Sequence, residues 1–357
     1  MKKIRILHSF PSNNSVFKKY CELTFSAENL TNNYVDSLKN ATNINTDFDI
    51  IIVHYLRDED VFFLNNESIE IPKILFAWGA DLFNLGKFYN KFLLNKTKKL
   101  RTKHDFNNSF YTIIKKISHT AFPSLLDLRK STKARIKVLN EFDFIVPVMP
   151  GDFELLKKYY PTRAKLHHLN YVNPLIVKDV YEFTIGENIL LGNSATYTNN
   201  HIEAIDLLGK IDLKDRQIII PLSYGETDLA DFVTKYSKAK LGEKKITILR
   251  EFLPFEEYNK IMNSCGILIM NHLRQQAVGN IMQALLQGAH IYLNSESTVY
   301  DFLKDHNFNV SKLNDLKSLS TLTKEEIEHN RKLTKEVFGL KRQQNRIKLL
   351  LDQAFKN

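Results

Sequence analysis

Apolar residues in this chain fall into short, nearly unbroken runs, separated by stretches in which they return every third or fourth position. Short runs rich in Ile and Val suit strands buried on both faces of a parallel sheet, and the longer spacing suits amphipathic helices. In the first half, residues 3–8, 48–54, 72–78 and 142–148 read as strands. The last runs into Pro150-Gly151-Asp152, where Asp152 is placed to cap a helix over 153–160 that Pro161 stops. The second half alternates regularly. Strands are expected at 189–191, 217–221, 245–249, 267–271 and 291–294, with helices at 199–209, 226–240, 254–263 and 278–287 between them. Such alternation with short connections predicts an α/β architecture of doubly wound parallel sheets. The pattern lapses between Tyr171 and Glu187, where Asn173-Pro174 and Gly186 mark turns. The expected division is therefore an N-terminal domain over 1–175 and a C-terminal domain over 186–335. A helix at 336–357 is placed to pack back on the first domain. Two Rossmann-like domains of this kind face a central cleft at the carboxyl ends of their strands, where open α/β sheets bind ligands.

The chain's 357 residues suit two domains, and 43% hydrophobic with 25% charged residues is ordinary for a globular protein. Cys21 and Cys265 lie far apart without metal-ligand or CxxC spacing, which argues against a disulfide framework or zinc site and fits a reducing compartment. The apolar run after Met1-Lys-Lys is too short for a signal peptide, and no run approaches the roughly 20 apolar residues of a spanning helix. The expectation is a protein neither exported by that route nor integral to a membrane.

Charge is unevenly spread. Residues 87–137 carry fourteen Lys and Arg against Asp105 and Asp127, more positive charge than the whole chain's net +10. Aromatic and aliphatic residues interleave with it, among them Phe88, Tyr89, Phe92, Leu93, Phe106, Phe110, Ile113 and Leu125. Basic amphipathic helices bind anionic lipid headgroups, and the same pattern also describes a solvated face of core helices. Nucleic acid is set aside, because no helix-turn-helix, RNP or zinc-finger pattern accompanies the charge.

Two strand-to-helix junctions carry the candidate chemistry. Gly192-Asn193-Ser194 leads towards His201, and Arg274-Gln275-Gln276 leads to Gly279 and Asn280. Helix N-termini present unpaired N–H groups and a positive dipole end, so two junctions in one domain suit a diphosphate held between two loops. Arg274 would neutralise charge growing on a departing group, and His201 would donate to a phosphate. No Asp-x-Asp motif stands where it would hold a divalent ion against that diphosphate, so the reading has no metal and no cofactor. Asp81, presented by a turn at Gly79, is the candidate general base. Trp78, the single tryptophan, is the candidate platform for an acceptor sugar. Each has a plainer alternative: an ordinary βα turn at Gly192, a packing histidine at 201, an ion pair at Arg274, a polar helix cap at Gln275 and Gln276, an N-cap at Asp81 and a core aromatic at Trp78.

Leu191-Gly-Asn-Ser194, Asn199-x-His201-Ile-x-Ala204, Arg274-Gln-Gln276 with Gly279, and Trp78-Gly-Ala-Asp-Leu82 together resemble the family-56 glycosyltransferases. Val146 to Pro161, Pro221 to Tyr224 and Leu293-Asn-Ser-Glu296 agree in order and spacing. The resemblance implies a GT-B fold and transfer of a 4-acetamido-4,6-dideoxygalactose type of sugar from a TDP donor. The implied acceptor is an undecaprenyl-diphosphate-linked saccharide, and the implied location is the cytoplasmic face of the inner membrane, held peripherally. By the same resemblance Tyr224 contacts the nucleotide ribose or base, and Glu296 a donor-sugar hydroxyl. Many GT-B enzymes place a Glu for the ribose on the helix that here carries Asn280 and Gln283. Alternatives are a UDP- or GDP-sugar transferase, or a non-catalytic membrane-associated protein of the same fold.

Overall fold

The computed structural model describes residues 3–12, 14–83, 86–103, 133–177 and 186–356, with the side chains of 86 and 87 outside the description. The described chain divides into two compact units. The first holds residues up to 88, 133–177 and 335 onward, and the second holds 89–103 and 186–334.

The first unit is built on a six-stranded parallel sheet. Its strands are β1 (Ile4–Ser9), β2 (Leu30–Val35), β3 (Ile50–His54), β4 (Lys73–Ala77), β5 (Phe144–Pro147) and β6 (Lys165–Leu166), in the order β2-β1-β3-β4-β5-β6. Every pairing is parallel. β3, Ile-Ile-Ile-Val-His, is buried along its whole length, as a strand covered on both faces must be. One face of the sheet, carrying Ile6, Phe10, Ile50, Ile52, Ile74 and Phe76, packs with Cys21 and Phe25 and with Ile347, Leu350, Leu351 and Ala354 of the helix Leu340–Ala354.

The second unit repeats the plan with β7 (Asn188–Leu191), β8 (Ile218–Pro221), β9 (Ile246–Leu249), β10 (Cys265–Met270), β11 (His290–Leu293) and β12 (Ser311–Lys312). Their order is β12-β11-β10-β7-β8-β9, again all parallel. Relabelled from the first strand, that order is the doubly wound 3-2-1-4-5-6, whose chain direction reverses between β7 and β10. The first sheet reverses between β1 and β3. These two switch points are where such sheets leave a crevice beyond their strand ends.

The expected strands are present within a residue or two of their positions, and the helix Val278–Gln287 has the expected bounds. Three strands escaped the sequence pattern. β2 reads Leu-Thr-Asn-Asn-Tyr-Val at a sheet edge, and β6 and β12 are two residues each. Asp152 does not cap its helix. It lies in the first turn of Gly151–Tyr159, buried, behind Pro150 at the N-cap.

Residues 89–103 depart from the expected 1–175 domain by belonging to the second unit. Tyr89 and Leu93 are buried in the second unit's core with Ala204, Ile205 and Leu208, and Leu100 packs against it. Backbone groups follow: Leu94 N–H donates to Asn200 Oδ1 (2.8 Å), and the Thr97 N–H and hydroxyl donate to Glu203 (3.0 and 2.6 Å). The described part of the basic segment thus turns its apolar side inward, while Lys98, Lys99 and Lys103 are exposed. Residues 104–132 of that segment, including Phe106, Phe110, Ile113 and Leu125, lie outside the described residues.

Candidate functional site

Loops after β7, β8 and β10 are woven together at the switch point of the second sheet. Gly192 ends β7 with a φ of 70°, the left-handed region that favours glycine, and a Cβ there would stand 2.7 Å from His201 Nε2 and 2.8 Å from Asn199 Oδ1. Both the positive φ and the close approach favour glycine at this turn. Asn193 N–H then donates to Asn199 Oδ1 (3.0 Å), while Asn199 Nδ2 donates to the Ser194 carbonyl and hydroxyl (both 3.0 Å). Ala195 and Gly225 form a parallel β-bridge that ties the β7 loop to the β8 loop. Asn193 Nδ2 donates to the Tyr224 hydroxyl (2.6 Å) across that join.

The β10 loop joins through Gln276. Its Nε2 donates to Asn193 Oδ1 (3.0 Å) and Thr196 Oγ1 (3.2 Å), and its Oε1 accepts from Thr198 Oγ1 (2.7 Å). Beneath these contacts, His272 Nε2 lies 2.9 Å from Asn199 Oδ1. Asn271 Nδ2 donates to the Asn200 carbonyl, Asn200 Nδ2 donates to the Asn271 carbonyl, and Asn294 Nδ2 from the β11 loop donates to Asn271 Oδ1. Asn199, Asn200, Asn271 and Asn294 are all buried. Polar side chains taken from water at these depths are tolerated because their hydrogen bonds are made inside the protein. They fix the loops' geometry in advance of any ligand.

Arg274 is buried, donates from Nη1 to the Gln275 carbonyl (2.7 Å) and has its guanidinium 6.0 Å from the centre of the Phe92 ring. Ala277 takes a left-handed φ of 57° at the N-cap of Val278–Gln287, a strained conformation for an L residue, and a Cβ on Gly279 would meet nothing within 4 Å. The first turn of this helix is thus open beside the woven loops. The other junction is different. Asn200, with φ of 49°, precedes the helix His201–Leu208, and Glu203 in its first turn is already engaged by Thr97. Of the two expected anion sites, the Val278 end has open space at Gly279 among the described residues.

His201 is buried, its Nε2 has no hydrogen-bond partner among the described residues and faces the Gly192 turn, and burial lowers its pKa to about 4. It lies under the turn as a neutral imidazole. Asn280 Nδ2 donates to the Tyr258 hydroxyl (2.9 Å) and Gln283 Nε2 to Asn259 Oδ1 (2.8 Å), with Gln287 bonded to Asn263 one turn on. That stripe binds the helix Phe255–Asn263, so Asn280 serves a helix contact. Glu296 is exposed in the turn after β11, its N–H donating to Asn294 Oδ1 (3.0 Å).

The structure places Trp78, Gly79 and Asp81 in the first unit, after β4. Gly79 has a φ of 89° and its carbonyl accepts from Leu82 and Phe83, so glycine occupies the N-cap position and Asp81 sits within the helix Ala80–Phe83. Asp81 Oδ2 accepts from Leu56 N–H (3.0 Å), whereas Oδ1 is buried without a hydrogen-bond partner among the described residues. Burial raises its pKa to about 6, opposed by the Leu56 N–H and the nearby Arg135. Arg135 is itself buried and donates to the Leu56 carbonyl (2.7 Å) and the Asp81 carbonyl (3.2 Å). A carboxylate so placed is ionised at neutral pH and a stronger base than an exposed aspartate. Trp78 is partly buried among Phe10, Phe17, Tyr55 and Tyr171.

Sequence reasoning gave no role to Asn199, Asn200, Asn271, His272, Thr196 or Thr198. The signal was available in the density of Asn and Thr at the two junctions, Ser-Ala-Thr-Tyr-Thr-Asn-Asn and Asn-His.

Among solved structures, the chain aligns with sucrose-phosphate synthase from Thermosynechococcus elongatus over 100% of both chains, at 8% identity and a TM-score of 0.62. A glycosyltransferase from Rickettsia africae aligns over 100% of both at 11% identity and 0.60. Anabaena HepE in complex with UDP and glucose aligns over 98% of this chain and 100% of its own, at 9% identity and 0.58. These likenesses identify the fold as GT-B. The family model described as 4-alpha-L-fucosyltransferase, glycosyl transferase group 56, matches residues 141–337, more than half of the chain and all of the woven loops. On that match, a chain with two Rossmann-like sheets and three interlocked loops at the second switch point belongs to glycosyl transferase group 56 and is a glycosyltransferase.

Proposed function

We propose that the protein transfers a 4-acetamido-4,6-dideoxyhexose from a TDP donor to a polyprenyl-diphosphate-linked saccharide during cell-surface polysaccharide synthesis. The observation that carries the donor half is the set of loops after β7, β8 and β10, held by Asn193, Asn199 and Gln276 around the open first turn of Val278–Gln287. In this reading the N–H groups of that turn take the diphosphate, and Arg274 stabilises the charge of the departing nucleotide without help from a metal. Tyr224 and Glu296, on neighbouring loops, meet the nucleoside and the donor sugar. Asp81 draws the proton from the attacking hydroxyl, with Trp78 stacking on the acceptor sugar. Exposed Lys98, Lys99 and Lys103 support peripheral attachment to an anionic membrane face, each worth about 1 kcal/mol near such a surface.

The test is a transfer assay with radiolabelled TDP-, UDP- and GDP-linked sugars and polyprenyl-diphosphate saccharide in detergent. Label entering lipid from the TDP-4-acetamido-4,6-dideoxyhexose is expected. Transfer only from a UDP- or GDP-sugar would replace the donor, and no transfer from any would favour a non-catalytic binding protein. Sedimentation with vesicles tests attachment: binding to anionic but not neutral vesicles is expected, and negligible binding to both would overturn it.

A further inference from the structure

The switch point of the first sheet holds a polar chain of which the reaction outlined above uses Trp78 alone. His8 of β1 and His54 of β3 are completely buried, with Nδ1 of His8 and Nε2 of His54 2.9 Å apart. His8 Nε2 lies 3.0 Å from Asn32 Oδ1, and Asn32 Nδ2 donates to the Phe25 carbonyl (2.9 Å). At the other end His54 Nδ1 is 2.5 Å from the Tyr171 hydroxyl, which accepts from Trp78 Nε1–H (3.2 Å).

Both ends of this chain have only one possible sense. The Asn32 amide nitrogen is committed to a carbonyl, so Oδ1 faces His8 and His8 Nε2 carries the proton. Indole N–H can only donate. Burial holds His8 neutral, lowering its pKa to about 4, and keeps that of His54 below its usual range. A neutral His8 then accepts at Nδ1, so His54 donates from Nε2 and accepts at Nδ1 from the Tyr171 O–H. The Tyr171 proton is thereby spent inward. One lone pair is taken by Trp78, and the remaining lone pair can only accept.

Cys21 Sγ lies 3.9 Å from His54 Nε2, and the donor atoms of His8, Cys21 and His54 all lie within 4.8 Å. A tetrahedral zinc with bonds of about 2.0–2.1 Å would hold two nitrogens about 3.3 Å apart. At 2.9 Å the imidazoles are hydrogen-bonded, and each of their nitrogens has a place in the chain described.

We infer that the chain Asn32–His8–His54–Tyr171–Trp78 is a positioning relay that turns Tyr171 into an obligate hydrogen-bond acceptor, and that Tyr171 and Trp78 form a subsite for a hydroxyl of the acceptor saccharide. Both residues are partly exposed; Trp78 lies between β4 and the Asp81 helix, and Tyr171 packs on Phe76 of β4 and meets His54 of β3. An aromatic plane with a fixed acceptor beside it selects a sugar that offers an O–H in line with its apolar face. The sugar assignment rests on the transferase reading, and the relay itself does not.

Two measurements on the full chain test it. Long-range 1H–15N correlation of imidazole-labelled protein at neutral pH is expected to show His8 and His54 both as Nε2–H tautomers. Either ring as the Nδ1–H form, or a stoichiometric metal that survives purification and is lost in His8→Ala, would overturn the relay. Emission of the sole tryptophan, Trp78, is then followed while titrating a phosphorylated N-acetylhexosamine disaccharide, with TDP titrated in parallel by calorimetry. Tyr171→Phe keeps the ring stacked on Phe76 (5.7 Å between centroids, 13° between planes) and is expected to weaken the disaccharide at least tenfold without changing TDP affinity. Asn32→Ala, remote from the sugar, is expected to weaken it severalfold and to be rescued in part by Asn32→Gln. Equal disaccharide affinity in Tyr171→Phe, or TDP binding with no saturable Trp78 response in the unaltered protein, overturns the subsite while leaving the transferase reading in place. Saturable disaccharide binding without nucleotide binding supports the subsite and removes the donor reading instead.

Discussion

At the second sheet's switch point the polar groups sit on loops beyond β7 and β10, whereas at the first they sit within the strands, on His8 and His54. The loop version brings together amides and hydroxyls that keep some capacity for a ligand, beside an open helix turn at Gly279. The strand version is closed, with histidines held neutral and directed through Tyr171 to Trp78. One arrangement suits a charged leaving group that must be met by many donors. The other suits a neutral sugar that must be oriented. In the proposed reading the donor half uses the first arrangement and the acceptor half the second.

Loss of the Asp81 carboxylate, the proposed base, should have the largest effect. Asp81→Asn retains an acceptor for Leu56 N–H, and turnover is expected to fall by about 10²–10⁴-fold. In the unaltered enzyme kcat should decline below about pH 6 as the carboxyl protonates, and the residual activity of the variant should lack that limb. Stability adds a check. Because the folded pKa is raised, the native state binds the proton more tightly than the unfolded chain, so stability declines as pH rises from the ordinary aspartate range to about 6 and is level above. The variant should escape that decline in a denaturation series. A variant as active as the parent would make Asp81 a structural group only.

Arg274→Ala follows, with turnover expected to fall by about 10²–10³-fold in steady-state assays, most of it in kcat. Near-normal turnover would remove the arginine from leaving-group stabilisation. Gly192→Ala should cost about 1–3 kcal/mol in chemical denaturation, because it combines a left-handed φ with a clash against His201 and Asn199. It should weaken nucleotide binding in the same protein, and an undisturbed loop would show that the turn has another conformation available. The smallest effect is expected for Gln276→Ala. Two loops lose one shared side chain, about 0.5–1.5 kcal/mol, read as a severalfold rise in nucleotide Kd with little change in disaccharide affinity. An equal change in both would erase the division of labour between the two sheets.

The sheets and the helix at Val278–Gln287 were legible in the sequence because buried parallel strands leave unbroken apolar runs and amphipathic helices leave a 3.6-residue period. β2 was not, since an edge strand of Thr, Asn and Tyr lacks such a run. Gly192, Asn193 and Gln276 were legible as members of two polar strand-to-helix junctions, which the structure joins. The buried lock beneath them was not, because an asparagine that satisfies another asparagine far along the chain, as Asn271 does Asn200, leaves no local periodicity. The pairing of Asn280 and Gln283 was hidden for the same reason. Their helical face is polar, and only the partner helix shows that it is paired. Residues 89–103 were assigned to the first domain by their place in the chain, while their apolar residues pack in the second unit's core.

The most direct measurement is calorimetric binding of TDP, UDP, GDP, CDP and ADP, with and without magnesium, to the unaltered protein and to Arg274→Ala. The account predicts preference for TDP that does not need the metal and is lost in the variant. Failure of every nucleotide to bind, or binding that is indifferent to Arg274, would contradict a diphosphate site built from the loops after β7, β8 and β10.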